Sequence, residues 1–245
     1  MDYKFVFQRA TNDGFPVVYK ECECKSKANA EKSIRIKIQD VPTDLHEELV
    51  DFMVKYYLPD EPVARTTNVV GEPDSLETYK ALFFTVLAQN LSLVAFLDKP
   101  DGTREIVGAQ LYTVFSLDDP PLPEMPGVAI QKLKKFIYDI KSEELIVGLN
   151  LYQHLQDWGL CVSPTYRGWG IGEVILSTAN DLGIQIGVRA ILTIFTVINS
   201  QVLADRLGYK ELNRIVYKEY KDEEGNLVFP GEDKTEAIRL MMLTF

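Results

Sequence analysis

The stretch Val162-Ser163-Pro164-Thr165-Tyr166-Arg167-Gly168-Trp169-Gly170-Ile171-Gly172-Glu173 decides how this chain reads. Upstream lies an apolar segment, Trp158 to Val162. Downstream, Ile171, Val174, Ile175, Thr178, Leu182 and Ile186 recur at helical spacing. The stretch therefore sits where a strand passes into a helix. Its glycines leave the backbone bare at the helix start, where the first N–H groups lack internal partners and the helix dipole is positive. Such a place receives a phosphate or pyrophosphate, and the missing side chains let the anion approach. A tight turn would use the same glycines, so the spacing must decide. A dinucleotide loop requires Gly-x-Gly-x-x-Gly and an acidic residue about 20 positions on, and a nucleotide P-loop ends in Gly-Lys-Ser/Thr. The stretch fits neither.

Composition narrows the partners. The chain has 245 residues, 46% of them hydrophobic, enough for one sizeable core. Its formal charge of −10 argues against nucleic acid and against an anionic membrane, both of which need a basic footprint. No apolar run approaches the length of a membrane span, and the start Met-Asp-Tyr-Lys-Phe lacks a secretory pattern. The expectation is a soluble, cytoplasmic protein, monomeric, with Cys22, Cys24 and Cys161 as free thiols. Cys22-x-Cys24 is too short for a usual zinc pair, and no His/Cys/Asp/Glu cluster has metal-site spacing, so no metal is expected. His46 and His154, the two histidines, read as structural.

Along the chain, residues 1–30 read as an N-terminal extension, a hairpin turning at Asn12-Asp13-Gly14. Residues 31–245 read as a single domain. Ser33 to Gln39 alternates as a strand. Thr43 or Asp44 caps a helix with Leu45, Leu49, Phe52, Met53 and Tyr56 inward, stopped by Pro59 and Pro62. Residues 58–74 read as loop. Ser75 begins a helix facing in with Leu76, Tyr79, Leu82, Phe83 and Leu87. Strands at Leu91–Asp98 and Glu105–Phe115 join through Lys99-Pro100-Asp101-Gly102. The proline-rich stretch Ser116 to Pro126 is an exposed loop, and 128–154 is mostly helical. After the glycine stretch come a strand at Ala190–Thr196, a short helix through Leu203 to Leu207, and two last strands near Lys210–Tyr220 and Thr235–Thr244.

Arg167-x-x-Gly170-x-Gly172, preceded by a strand and by Val162-x-Pro164-x-Tyr166, resembles the coenzyme A pyrophosphate loop of the GNAT N-acetyltransferase superfamily. The element order β-α-α-β-β-(α)-β-α-β-α-β-β, from residue 33 to the end, is that of the GNAT fold. The fold class implied is mixed α/β: a mostly antiparallel sheet splayed between its fourth and fifth core strands and flanked by helices. The resemblance implies acetyl-CoA as co-substrate, its pyrophosphate on the backbone of Arg167, Gly168, Trp169, Gly170, Ile171 and Gly172. Its pantetheine arm would run along Leu160, Cys161 and Val162 as a pseudo-strand, where the strands near 158–162 and 190–195 part.

Tyr56-Tyr57-Leu58-Pro59-Asp60-Glu61-Pro62-Val63 is the second informative run. By itself it fits a solvated, helix-breaking turn. With the glycine loop downstream it is similar to the insect-type arylalkylamine N-acetyltransferases, and the resemblance implies Glu61 as general base toward a small primary amine. The chemistry needs one. An alkylamine has a pKa of about 10.4, so at neutral pH roughly one molecule in a few thousand is the free nucleophile, a penalty of about 4–5 kcal/mol. A carboxylate holds the ammonium by charge and takes its proton. The acceptor pocket is expected to draw on Tyr56, Tyr57, Asp60 and Tyr79, with the loop after Phe115 and the last hairpin. Many GNAT enzymes carry an acid tyrosine four residues before the glycine that ends the next helix. That position is Ala204. The arylalkylamine branch places hydroxyls where Thr196 and Ser200 stand; both equally suit a helix start. A peptide or polyamine acceptor on the same fold, or a silent acyl-CoA-binding module, are the alternatives.

Overall fold

A computed structural model describes residues 3–11, 14–29, 31–99 and 101–245. Alternating Ile34, Ile36 and Ile38 make Ser33–Asp40 a strand (β2), which pairs antiparallel with Leu93–Asp98 (β3). The sheet continues through Arg104–Ser116 (β4) to Gln153–Val162 (β5), both antiparallel to their neighbours. Beyond β5 lie Ala190–Phe195 (β6), Ala237–Thr244 (β8) and Lys210–Val216 (β7), in that order. An edge strand, Val18–Lys25 (β1), completes the far side by pairing with β2. The result is an eight-stranded sheet of order β1-β2-β3-β4-β5-β6-β8-β7, in which β5 and β6 form the parallel pair.

That parallel pair shapes the molecule. Only Leu155↔Ile191 and Gln156↔Leu192 are in register; from Asp157 and Thr193 onward the two strands separate. Past the fork, β5 stays hydrogen-bonded to β4 up to Val162 and β6 to β8 up to Phe195. Each keeps main-chain groups turned to the gap, and unpaired strand edges of this kind accept a further extended chain.

One face of the sheet carries His46–Tyr56 (α1), Pro73–Leu87 (α3) and Val128–Ile140 (α4), through a core of Leu49, Phe52, Met53, Phe83, Val86 and Leu111. The other carries Ile171–Ile186 (α6) and Ile198–Arg206 (α7), where Ile175, Leu176, Ala179 and Leu182 pack on Ile38, Leu93 and Val107. Two short helices, Pro62–Thr66 (α2) and Glu143–Gly148 (α5), complete the set. Among the described residues no helix is long and apolar enough to cross a membrane.

Several sequence expectations need correction. Residues 58–74 are not a loop: they hold α2 and a turn of 3-10 helix at Val69–Gly71. Pro62 opens α2 instead of stopping α1, because proline at the first helical position sacrifices only an N–H that has no partner there. Neither Thr43 nor Asp44 caps α1; both lie in a 3-10 turn, Thr43–Leu45, that leads into it. The expected turn at Asn12-Asp13-Gly14 falls partly outside the described residues. The hairpin made by the N-terminal region is β1 with β2. Further upstream the same segment is fastened by Arg9, whose guanidinium forks onto the fully buried Asp40 at 2.7 and 3.0 Å. His154, expected before the strand, lies within β5 and is buried; burial pushes its imidazole down to about 3.

Candidate active site

The glycine stretch turns where expected. β5 ends at Val162, a 3-10 turn covers Pro164–Tyr166, and α6 starts at Ile171 with Gly170 as its N-cap. Gly168 and Gly170 adopt φ of +80° and +77°, and a Cβ on either would meet nothing within 4 Å. The loop's outer side is thus open space, onto which the first N–H groups of α6 face without intrahelical partners. Arg167 donates from Nε to the Val162 carbonyl at 3.1 Å, which fixes its stem across the strand end. The inner side of the loop is held by the N-terminal hairpin, through Lys27 N–H to the Gly168 carbonyl at 2.9 Å. An open anion cradle at a helix start, continuous with the unpaired edge of β5, fits the pyrophosphate and extended arm of coenzyme A.

Glu61 sits across the fork from this loop. It is the N-cap of α2, and its Oε2 accepts from Ala64 N–H at 2.6 Å. It is 7% exposed, and its other oxygen, Oε1, is buried without a hydrogen-bond partner. Burial raises its pKa, while the Ala64 amide and the nearby Thr196 hydroxyl oppose the shift. A buried carboxylate with one fixed and one free oxygen is oriented and poised to take a proton.

Aromatic side chains surround it. Tyr79 is buried, packs edge-on against Phe83 at 5.2 Å, and has its phenol pushed up by burial and then by the Glu61 charge. The Tyr57 phenol is pushed well up by burial and again by Glu61. Its ring lies against Gly159, where a Cβ would come within 2.7 Å of the ring, so the strand passes Tyr57 only as glycine. Gly159 is also the site of a bulge: Leu111 faces Gly159 and Tyr112 faces Asp157, leaving Trp158 as the extra residue, its indole N–H bonded to Thr113 Oγ1 at 2.8 Å.

The other expected site residues divide. Thr196 faces Glu61, and its carbonyl accepts from the Tyr217 hydroxyl at 2.9 Å. Ser200 donates to the Val197 carbonyl at 2.8 Å, a bond local to the first turn of α7. Tyr56 stands apart from this group, edge-on against Phe52 at 5.1 Å with the Lys55 ammonium over its ring. Asp60 is exposed and pairs with Arg167 at 2.6 Å, so it ties the turn before α2 to the glycine loop. Cys161 is buried, its thiol pushed up to about 12 by burial, and Leu160 and Val162 are half-buried beside it.

Tyr217 and the pair Arg65–Glu232, 2.7 Å apart, which anchors α2 to the segment before β8, carried no sequence signal. Gly159, a lone glycine inside an apolar strand, did carry one for a bulge or a close approach.

No protein-family model matches the sequence, and no curated protein is similar to it. Solved structures are. A protein from the yellow fever mosquito Aedes aegypti, assigned as insect arylalkylamine N-acetyltransferase 7, superposes with a TM-score of 0.86 at 28% identity, over 97% of this chain and 98% of that one. Arylalkylamine N-acetyltransferase 2 from Aedes aegypti gives 0.75 at 20%, over 85% and 98%. The Drosophila melanogaster polyamine N-acetyltransferase, which forms N-acetylagmatine, gives 0.68 at 19%, over 86% and 100%. The latter two establish the fold. The first extends the likeness over nearly the whole chain, and the chain has the GNAT acetyltransferase fold, with a structure like that of the insect arylalkylamine N-acetyltransferases.

Proposed function

We propose that this protein is an acetyl-CoA-dependent N-acetyltransferase for small primary amines of the arylalkylamine type, with Glu61 as general base. One observation carries the reading: Glu61 is buried, fixed through one oxygen and free at the other, with the phenols of Tyr57 and Tyr79 close enough to feel its charge. The amides of Arg167 to Gly172 would receive the pyrophosphate, and the free edge of β5 at Leu160 to Val162 the extended arm. The thioester supplies the activated acetyl carbonyl.

The protein's own part follows from the geometry. Tyr57 and Tyr79 pack the aromatic end of the amine and exclude water, and Glu61 holds the ammonium and removes a proton. A main-chain N–H near Val162 meets the developing oxyanion. Thr196, turned to Glu61, steadies the base, and Ser200 is left with a local helix-turn bond. The silent-module alternative would want Glu61 turned to solvent; its burial favours catalysis.

The test is a panel of amines with acetyl-CoA, read by release of free thiol. Turnover is expected with arylalkylamines such as tryptamine and phenethylamine, and none with histone-like peptides. Equal turnover on both would overturn the acceptor assignment.

A further inference from the structure

At the fork itself lies a second carboxylate that the reading above does not use. Asp157 is the first residue of β5 beyond the paired segment, opposite Thr193 of β6. Its Oδ1 accepts from Gly159 N–H at 2.7 Å and its Oδ2 from Gln110 Nε2 at 2.9 Å. Around it stand polar atoms that find no hydrogen-bond partner although they are buried: Tyr112 OH, Thr193 Oγ1, Tyr209 OH and the remaining oxygen of Gln110. These four residues are 0–3% exposed. Buried polar groups are ordinarily bonded, and each exception calls for a reason. Four such atoms near one carboxylate form a polar set that an ordered water could satisfy, since one water bonds two to four groups at once.

The position gives that set a role. Tyr112 and Tyr209 belong to the core beneath α6, whereas Tyr57 and Glu61 lie toward α1 and α2 on the other face of the sheet. The fork is the gap between the two faces. The Tyr57 phenol feels the charges of both Glu61 and Asp157, and its ring lies against Gly159, two residues from Asp157. The acid step, meanwhile, is unassigned: Ala204 stands where the resemblance would place a tyrosine, Ser200 is bonded locally and Thr196 faces Glu61.

We propose that Asp157 is a proton-carrying residue of the acetyl-transfer reaction, joined by pocket water to Glu61 on one side and to the departing sulfur on the other. The inference rests on the acetyltransferase reading. The ammonium first loses one proton to solvent by way of Glu61; as the N–C bond then forms, the second amine proton passes to Glu61. It moves through water in the fork to Asp157 and from there, as the C–S bond breaks, to the thiolate. One proton is taken up and one returned, and both carboxylates end ionised. Both must therefore be ionised at the start. Burial pushes Asp157 up to about 6, opposed by its bonds to Gly159 and Gln110 and by the nearby Thr193 hydroxyl. Its titratable neighbours are the phenols of Tyr57, Tyr112 and Tyr209, all pushed up by burial and so neutral at that pH.

The experiment compares wild type, Asp157→Asn and Thr193→Val in pH–rate profiles of kcat at saturating acetyl-CoA and amine. Alongside, the Asp157 carboxyl carbon is titrated by 13C NMR in the folded wild type. Asparagine keeps the bond from Gly159 through its oxygen and can donate to Gln110 once that amide turns its oxygen inward, and Thr193→Val is a second variant that alters only the surroundings of the carboxylate. The expected result is a wild-type kcat that rises through the pH where the Asp157 carbon titrates, near 6. Asp157→Asn should lose that inflection and fall on the order of 10-fold or more on the plateau. Thr193→Val should show a smaller fall with the inflection kept. A profile for Asp157→Asn that is unchanged, or displaced in parallel with the inflection intact, overturns the role. So does a carboxyl that does not titrate between pH 5 and 7.5. A wild type that acetylates no amine would instead remove the acetyltransferase reading itself, and this role with it.

Discussion

In the proposed function the two sides of the fork would recognise their partners through different atoms. The glycine side offers main-chain groups: the open N–H groups of α6 behind Gly168 and Gly170, and the unpaired edge of β5. The tyrosine side offers side chains, the Glu61 carboxylate and the Tyr57 and Tyr79 rings. Main-chain recognition demands that side chains be absent, so it constrains the sequence tightly at a few positions. Side-chain recognition leaves spacing free, since any element that delivers a buried carboxylate and a ring will serve. The first should bind one molecule regardless of what the second accepts.

Substitutions can break that division. Glu61→Ala should lower kcat by about 10²–10⁴-fold, the range for losing a general base, and leave acetyl-CoA affinity nearly unchanged; a matching loss of affinity by calorimetry would show that the two sides are not separate. Asp157→Asn should act on stability as well as rate. An acid whose pKa rises on folding, here from 3.8 to about 6, favours folding when protonated. That contribution is complete below about pH 4 and is lost as pH rises to about 6. Above pH 6 the asparagine variant should be the more stable by up to about 3 kcal/mol, less for the residual solvent contact of Asp157. At pH 4 the gap should close, and thermal melts at the two pH values measure it. Gly170→Asp puts a side chain and a negative charge into the open cradle, and should weaken acetyl-CoA by about 10–10²-fold, the loss of one charge-assisted contact, with kcat at saturation preserved. Ser200→Ala removes only the bond to the Val197 carbonyl and should cost about 1 kcal/mol of stability or less, with kcat within about twofold.

How far the chain could be read follows the same line. The glycine loop was legible because Gly168 and Gly170 adopt positive φ with open space beside them, and the strands around it because isoleucine and valine alternate or recur. Glu61 was legible only through resemblance; that it caps a helix was hidden because Pro62 reads equally as a stop and as a first helical residue. β1 reads in the sequence only as part of an N-terminal hairpin, outside the main domain, because an edge strand with one half-buried face, Val18–Lys25, shows charged residues at half its positions. Asp157 gave no signal at all. A lone acid beside Trp158 marks a strand end in sequence, and only the register of β5 with β6 places it at the fork with Thr193, Tyr112 and Tyr209.

The central claim, that a buried carboxylate on the tyrosine side deprotonates the amine, is tested most directly by the shape of the pH–rate curve for kcat/KM of the amine in wild type and in Glu61→Ala. With the base in place, the wild-type rate should level off above the raised pKa of Glu61. Without it, the residual rate should climb steadily toward the amine's own pKa of about 10.4 as solution supplies free amine. Two curves of the same shape, or near wild-type turnover by Glu61→Ala at neutral pH, would contradict it.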